Sequence, residues 1–151
     1  MGDFLSAIQT FQYKETMFIY GKTASNAISV MSYLAASPGL RARSGEIAQA
    51  RSISQPLTAK LLTQLAAAGL VAGQPGPGGG YTLARPADTI NLASIIRLFE
   101  QTELPSLCPF GPEWCGHGNP CPLHDAIGQM VKSNQRFIEE TSLAVFSPSA
   151  G

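Results

Sequence analysis

A six-residue run that no helix can contain, Pro75-Gly76-Pro77-Gly78-Gly79-Gly80, constrains this chain more than any other feature. Proline lacks an amide to donate and glycine loses the most backbone freedom on ordering, so regular structure must stop on either side. The flanking segments, Leu70-Val71-Ala72 and Tyr81-Thr82-Leu83, are short and strand-like, which makes the run the tip of a hairpin. A nucleotide-binding loop is excluded. No Gly-Lys-Ser/Thr follows, and the chain continues into a strand rather than a helix.

Everything between residue 22 and this hairpin has helical spacing. Thr23 or Ser25 can cap a helix carrying Ala27, Ile28, Met31, Tyr33, Leu34 and Ala35, which Ser37-Pro38-Gly39 stops. Ser44 can cap a second, short helix to Ala50 with Ile47 and Ala48 inward. Ser54 caps a third with Pro56 in its first turn, where a missing amide costs little. Its apolar positions Leu57, Leu61, Leu62, Leu65 and Ala68 recur at helical spacing and leave Gln55, Thr58, Lys60, Thr63 and Gln64 on other faces, before Gly69 ends it. Helix, short helix, turn, helix, hairpin is the order of a winged helix-turn-helix. There the third helix enters the major groove and the hairpin touches adjacent backbone or minor groove. Two helices joined by a tight turn also occur in proteins that never meet DNA, so the order alone leaves the function open.

The charge distribution bears on that choice. Ten basic and ten acidic residues cancel, but residues 1–86 hold seven bases against three acids and residues 87–151 hold three against seven. A part that can approach a polyanion is joined to one that cannot. Within the basic part, Arg43, Arg51, Lys60 and Arg85 are candidates for phosphate contacts, and Gln55, Thr58 and Thr63 for base reading.

Beyond Pro86, Leu92, Ile95, Ile96 and Phe99 mark one side of another helix. From Pro105 to Pro122 the chain is rich in Pro, Gly and Cys without periodicity, long for a structureless loop in a compact domain. Something must organise it. All three cysteines fall there, as Cys108, Cys115 and Cys121, with His124 three residues on. An odd number of thiols argues against a closed disulfide framework, and clustered thiols in a reducing compartment are more often metal ligands or redox groups. Zinc accepts such a donor set, although its usual closely paired cysteines are missing. An iron–sulfur cluster, larger and multi-centred, suits thiolates spaced along a glycine-rich loop. A metal-free disulfide switch is a third reading and leaves His124 without a role. After the loop, Leu123, Ile127, Met130 or Val131, Asn134, Phe137 or Ile138 and Thr141 form an amphipathic stripe that a homodimer would bury. Residues 146–151 and those before about 16 look loosely attached.

Several classes are excluded. No apolar run approaches the roughly 18 residues of a membrane span, and 44% hydrophobic content supports a real core. Met1-Gly2-Asp3-Phe4 lacks the basic and apolar regions of a secretory signal, so a cytoplasmic protein is expected. No nucleophile has a plausible base and no carboxylate pair stands in a recognisable setting, so no enzyme is expected.

Three segments resemble the IscR-like iron–sulfur winged-helix transcription regulators, whose relatives include NsrR and RirA. They are Ser44-Gly45-Glu46-Ile47-Ala48 through Ile53-Ser54 to Leu65 and Ala68-Gly69-Leu70-Val71, then Gly76-Pro77-Gly78-Gly79-Gly80-Tyr81-Thr82-Leu83-Ala84, then the cysteine segment with its trailing histidine. The resemblance runs from about Met17 to the last helix. It implies a mainly α fold with a small β-hairpin: a winged helix-turn-helix domain plus a long dimerisation helix. The corresponding divisions are an extension over 1–16, a DNA-binding domain over 17–87, a connecting helix over 88–104, a cluster-binding loop over 105–122 and a dimerisation helix over 123–146. It further implies double-stranded operator DNA as partner, with Gly78, Gly79 and Gly80 of the wing at the DNA. Cys108, Cys115, Cys121 and His124 would be ligands of an iron–sulfur cluster, 2Fe-2S being favoured over 4Fe-4S. His117 and Asp125 are rival fourth ligands. The sequence departs from the family at Gln74-Pro75, where an arginine often precedes the wing glycines, and at Leu57 and Ala59, which replace aromatic and acidic residues. Operator preference therefore does not transfer. Six residues rather than the commoner five separate the first two cysteines, which leaves the cluster type open.

Overall fold

The computed structural model describes residues 20–100 and 119–148. Helix α1 (Lys22–Ala36) starts earlier than expected, with Gly21 as its cap residue, so Thr23 and Ser25 lie inside the helix. The cause is tertiary: the Glu100 carboxylate accepts the Gly21 N–H from 79 residues away, doing what a local hydroxyl would have done. Helix α2 (Ser44–Arg51) begins on Ser44 rather than being capped by it; Arg43 occupies the cap position, and its N–H donates to Glu46 Oε2 at 2.7 Å. Helix α3 (Gln55–Ala67) follows Ser54 as its cap residue and carries Pro56 in its first turn, as expected. It closes with Gly69 in the left-handed region (φ +76°) and the Leu70 N–H donating to the Leu65 carbonyl at 3.0 Å.

Strands β1 (Val71–Gln74) and β2 (Gly80–Leu83) pair antiparallel, from Val71 opposite Leu83 to Gln74 opposite Gly80. A third piece of backbone joins them. Ala42, just before α2, exchanges both hydrogen bonds with Tyr81, at 3.1 and 2.7 Å. A short 3-10 turn (Ala87–Thr89) then leads to α4 (Leu92–Phe99), whose first turn is capped by the Asn91 side chain accepting from the Ser94 N–H at 2.9 Å.

Helix α5 (His124–Glu140) ends before the expected residue 146 because the chain leaves the helix to pair with residues ahead of α4. Leu92 N–H donates to the Thr141 carbonyl at 2.9 Å and Leu143 N–H to the Ile90 carbonyl at 2.8 Å. A 3-10 turn (Leu143–Phe146) completes this return, and Ser147 Oγ lies 3.5 Å from the Ala35 carbonyl. The tail expected to be loose from Phe146 is thus docked at its start. Leu143 supplies the reason, since it is fully buried.

One hydrophobic core runs through all of these elements. Ala27, Val30 and Met31 of α1, Ile47 of α2 and Leu61, Leu62 and Leu65 of α3 belong to the same buried cluster as Ile95 and Ile96 of α4, Ile138 of α5 and Leu143. The third helix and hairpin are therefore positioned by packing that extends well beyond residue 87.

Candidate nucleic-acid interface and cysteine site

The outer face of α3 is built by default: Leu61, Leu62 and Leu65 are drawn into the core, so Gln55, Lys60, Thr63 and Gln64 are left exposed. The start of α2 and the hairpin stand beside this face. Arg43, Ser44, Thr63, Ala66, Gln74, Pro75 and Tyr81 line one open cleft together with Gly76, Gly79 and Gly80. Three separate stretches of sequence thus converge on one concavity with a guanidinium at its edge. Gln55 at the start of α3 lies next to Gly45 in the first turn of α2, where a Cβ at position 45 would be 3.4 Å from its amide nitrogen.

The wing glycines have distinct parts. At Gly79 a Cβ would stand 2.2 Å from the Gln74 carbonyl oxygen, and at Gly80 (φ +142°) 2.8 Å from that of Ala42. Both positions accept only glycine without backbone movement, which closes the tip and lets β2 reach Ala42. Gly78 is exposed at the tip.

Two residues expected at the DNA are turned elsewhere. Thr58 is fully buried with its hydroxyl donating to the Ser54 carbonyl at 3.0 Å, so it cannot reach a base. Helical spacing from Leu61, Leu62 and Leu65 points position 58 inward, and the back-bond to Ser54 lets a threonine fill an apolar position. Arg51 folds back on α1: its Nε donates to the Ser29 carbonyl at 3.1 Å and its guanidinium stacks 5.4 Å from the Tyr33 ring centroid. Arg85 lines a second groove with Arg41, Pro38, Leu40 and Ser147, apart from the α3 cleft. Sequence reasoning missed Ser44, Gln74 and Tyr81 as cleft residues. Ser44 was hidden behind its expected capping role, whereas Gln74 and Tyr81 are placed by strand register, which no local spacing reports.

Of the cysteine site, Cys108 and Cys115, and the rival His117, lie outside the described residues. Cys121 is buried, whereas His124 is exposed as the first residue of α5. They share one turn, the His124 N–H donating to the Cys121 carbonyl at 3.0 Å. Asp125 follows in the first turn of α5, and among the described residues no group of three or more His, Cys, Asp or Glu could hold a metal ion. Leu123 at the cap of α5, and Met130 and Phe137 on it, are 48%, 55% and 52% exposed and recur every seven residues. No helix among the described residues is long and apolar enough to cross a membrane.

Comparison with known proteins fits this arrangement. The family model for Rrf2, an iron-dependent transcriptional regulator, matches residues 20–148. An HTH-type transcriptional regulator of Aquifex aeolicus is 30% identical over 127 residues, covering 83% of this chain and 88% of that protein. The HTH-type transcriptional regulator IscR of Cereibacter sphaeroides is 44% identical over 57 residues, 38% of this chain and 37% of its own. Among solved structures, CymR, the global cysteine regulator of B. subtilis, superposes with a TM-score of 0.69 at 21% identity, covering 83% of this chain and 93% of that one. The fold is therefore a winged helix, and the relatives are regulators rather than enzymes. A matched family model over residues 20–148, with the winged-helix geometry beneath it, makes this chain a member of the Rrf2 family of transcriptional regulators.

Proposed function

We propose that the chain acts as a cytoplasmic homodimer on double-stranded operator DNA and senses iron–sulfur status, or redox or nitrosative stress, through a cluster held by Cys108, Cys115, Cys121 and His124. The observation that carries the DNA-binding part is the convergence of Arg43, Thr63 and the wing on one cleft beside the exposed face of α3. Gln55 and Thr63 then stand at base edges, while Arg43 and Lys60 neutralise phosphates. The sevenfold recurrence of Leu123, Met130 and Phe137 supports dimerisation, since a second copy of α5 would cover that stripe.

The donor set fits an iron–sulfur cluster: three thiolates and one imidazole are soft and borderline ligands spread over a loop, and the hydrogen bond between Cys121 and His124 keeps two of them on one turn. When bound, such a group supplies one-electron redox chemistry and reactivity toward oxidants and nitric oxide. The four side chains would hold it, and an imidazole ligand would place less negative charge there than a fourth thiolate. Regulation is then linkage: a change at the loop alters DNA affinity by the coupling free energy that DNA exerts on the loop, about 1–3 kcal/mol in typical systems.

Anaerobic purification with iron, sulfide and zinc analysis and an absorption spectrum tests the sensing part. Iron and sulfide with visible charge-transfer bands are expected; a colourless protein with one zinc per chain would replace this reading with structural zinc. For the interface, Lys60→Ala is expected to weaken operator binding across sequences and to lower the slope of log K against log salt by about one. Arg51→Ala should leave that slope unchanged and instead lower the melting temperature, because its partners are Ser29 and Tyr33. An unchanged slope for Lys60→Ala would place the DNA elsewhere.

A further inference from the structure

The Glu100 carboxylate spans two parts of the molecule. It belongs to the residue that ends α4 and immediately precedes the cysteine-bearing segment, yet it accepts the N–H of Gly21 at the start of α1. Position 21 lies against it: a Cβ there would come within 2.6 Å of Glu100 Oε1, which the flexible end of that side chain relieves by moving off the Gly21 N–H. Burial first, and the Glu100 charge second, raise the Tyr20 hydroxyl above its ordinary pKa of 10.0.

The two ends of α4 are held differently. Its N-terminal end is laced to the chain's return by the Leu92–Thr141 and Leu143–Ile90 hydrogen bonds and by Asn91 Nδ2 donating to the Glu139 carbonyl at 3.2 Å. Its other end is tied to α5 by Arg97, which donates to Glu139 Oε1 at 2.9 Å, and reaches the start of α1 through Glu100. From α1 the contacts continue to the DNA-reading half, because the Ser29 carbonyl accepts from Arg51 at the end of α2, and α2 sets the turn into α3.

We propose that Glu100 is a positioning residue through which the ligand state of the cysteine segment reaches α1 and, by way of the Ser29–Arg51 contact, the recognition helix. This rests on the reading that the segment carries the regulatory ligand, but not on what that ligand is. The Glu100 carboxylate either keeps or releases the first turn of α1. Spatial connection alone does not establish coupling, so the test is a double-mutant cycle.

Operator affinity is measured anaerobically for the full-length wild type and for Cys115→Ala, on a duplex selected from random sequence by the wild type. Their ratio of dissociation constants reports how strongly the segment's state is felt. It is then measured again in the Glu100→Ala, Glu100→Gln and Gly21→Ala backgrounds. Glu100→Ala should shrink the ratio by about threefold or more. Gly21→Ala, which keeps the carboxylate but fills its place, should do the same. Glu100→Gln should retain most of it, since an amide oxygen accepts the same hydrogen bond. Carbon-13 tyrosine NMR should show Tyr20 titrating lower in both Glu100 variants, a signature that a loss of stability alone would not give. Iron and sulfide are assayed on the same samples. Iron and sulfide present with a ratio unaltered in Glu100→Ala and Gly21→Ala would overturn the proposal and leave the cluster reading intact. A protein without iron and sulfide whose ratio still shrinks would do the reverse. A wild-type ratio of one would overturn the proposal, because nothing would be conveyed.

Discussion

Cys121→Ala, purified without oxygen, is expected to emerge colourless and to retain less than about a tenth of the wild-type iron and sulfide. On the proposed reading each thiolate is one of only a few ligands, so losing one leaves a coordination position that water fills poorly. Cys108→Ala and Cys115→Ala should give the same result. The Cys121 side chain is buried, so its alanine variant should also melt somewhat lower than the wild type stripped by a chelator. His124→Ala should leave a labile cluster and His124→Cys a longer-lived one at lower potential, because a thiolate adds negative charge where the imidazole had none. Full iron and sulfide in Cys121→Ala would remove this residue from the ligand set.

The second large effect concerns the core. Ile96 is 2% exposed on α4 and packs in the cluster that holds α1, α2 and α3. Ile96→Ala is expected to cost about 2–5 kcal/mol of stability. For a domain of this size that corresponds to a drop of roughly 5–15 °C in melting temperature. Because the core is continuous from Val30 to Leu143, the loss should appear as one transition shifted as a whole, followed equally well by circular dichroism and by operator binding. Two separated transitions, with the DNA-reading half melting at its original temperature, would show that the core is divided.

Local chemistry made much of this molecule legible in the sequence. Pro56, Gly69 and the Pro75–Gly80 run each act within a turn of themselves, so helix α3 and the hairpin could be placed from residue types alone. What failed was decided at a distance. The start of α1 was set by Glu100 rather than by Thr23 or Ser25, and the end of α5 by pairing with Ile90 and Leu92. Polarity misled at Thr58, because a hydroxyl satisfied by its own helix is as good a core residue as valine. Charge misled at Arg51, whose partner is a backbone carbonyl that composition cannot display. The spacing of Cys121 and His124 put their backbones within one turn, because three residues along a chain entering a helix is about one turn, but it did not report that one is buried and the other exposed.

The paired hydrogen bonds between Ala42 and Tyr81 have a consequence for operator choice. With β2 fastened to the segment that enters α2, the base of the hairpin is held in place, and on the proposed reading the wing meets the duplex as a prong of set position. An operator whose groove width or twist does not match the distance from α3 to the prong can be accommodated only by deforming the DNA. The stiffness of base steps that no side chain touches then becomes part of what the protein discriminates.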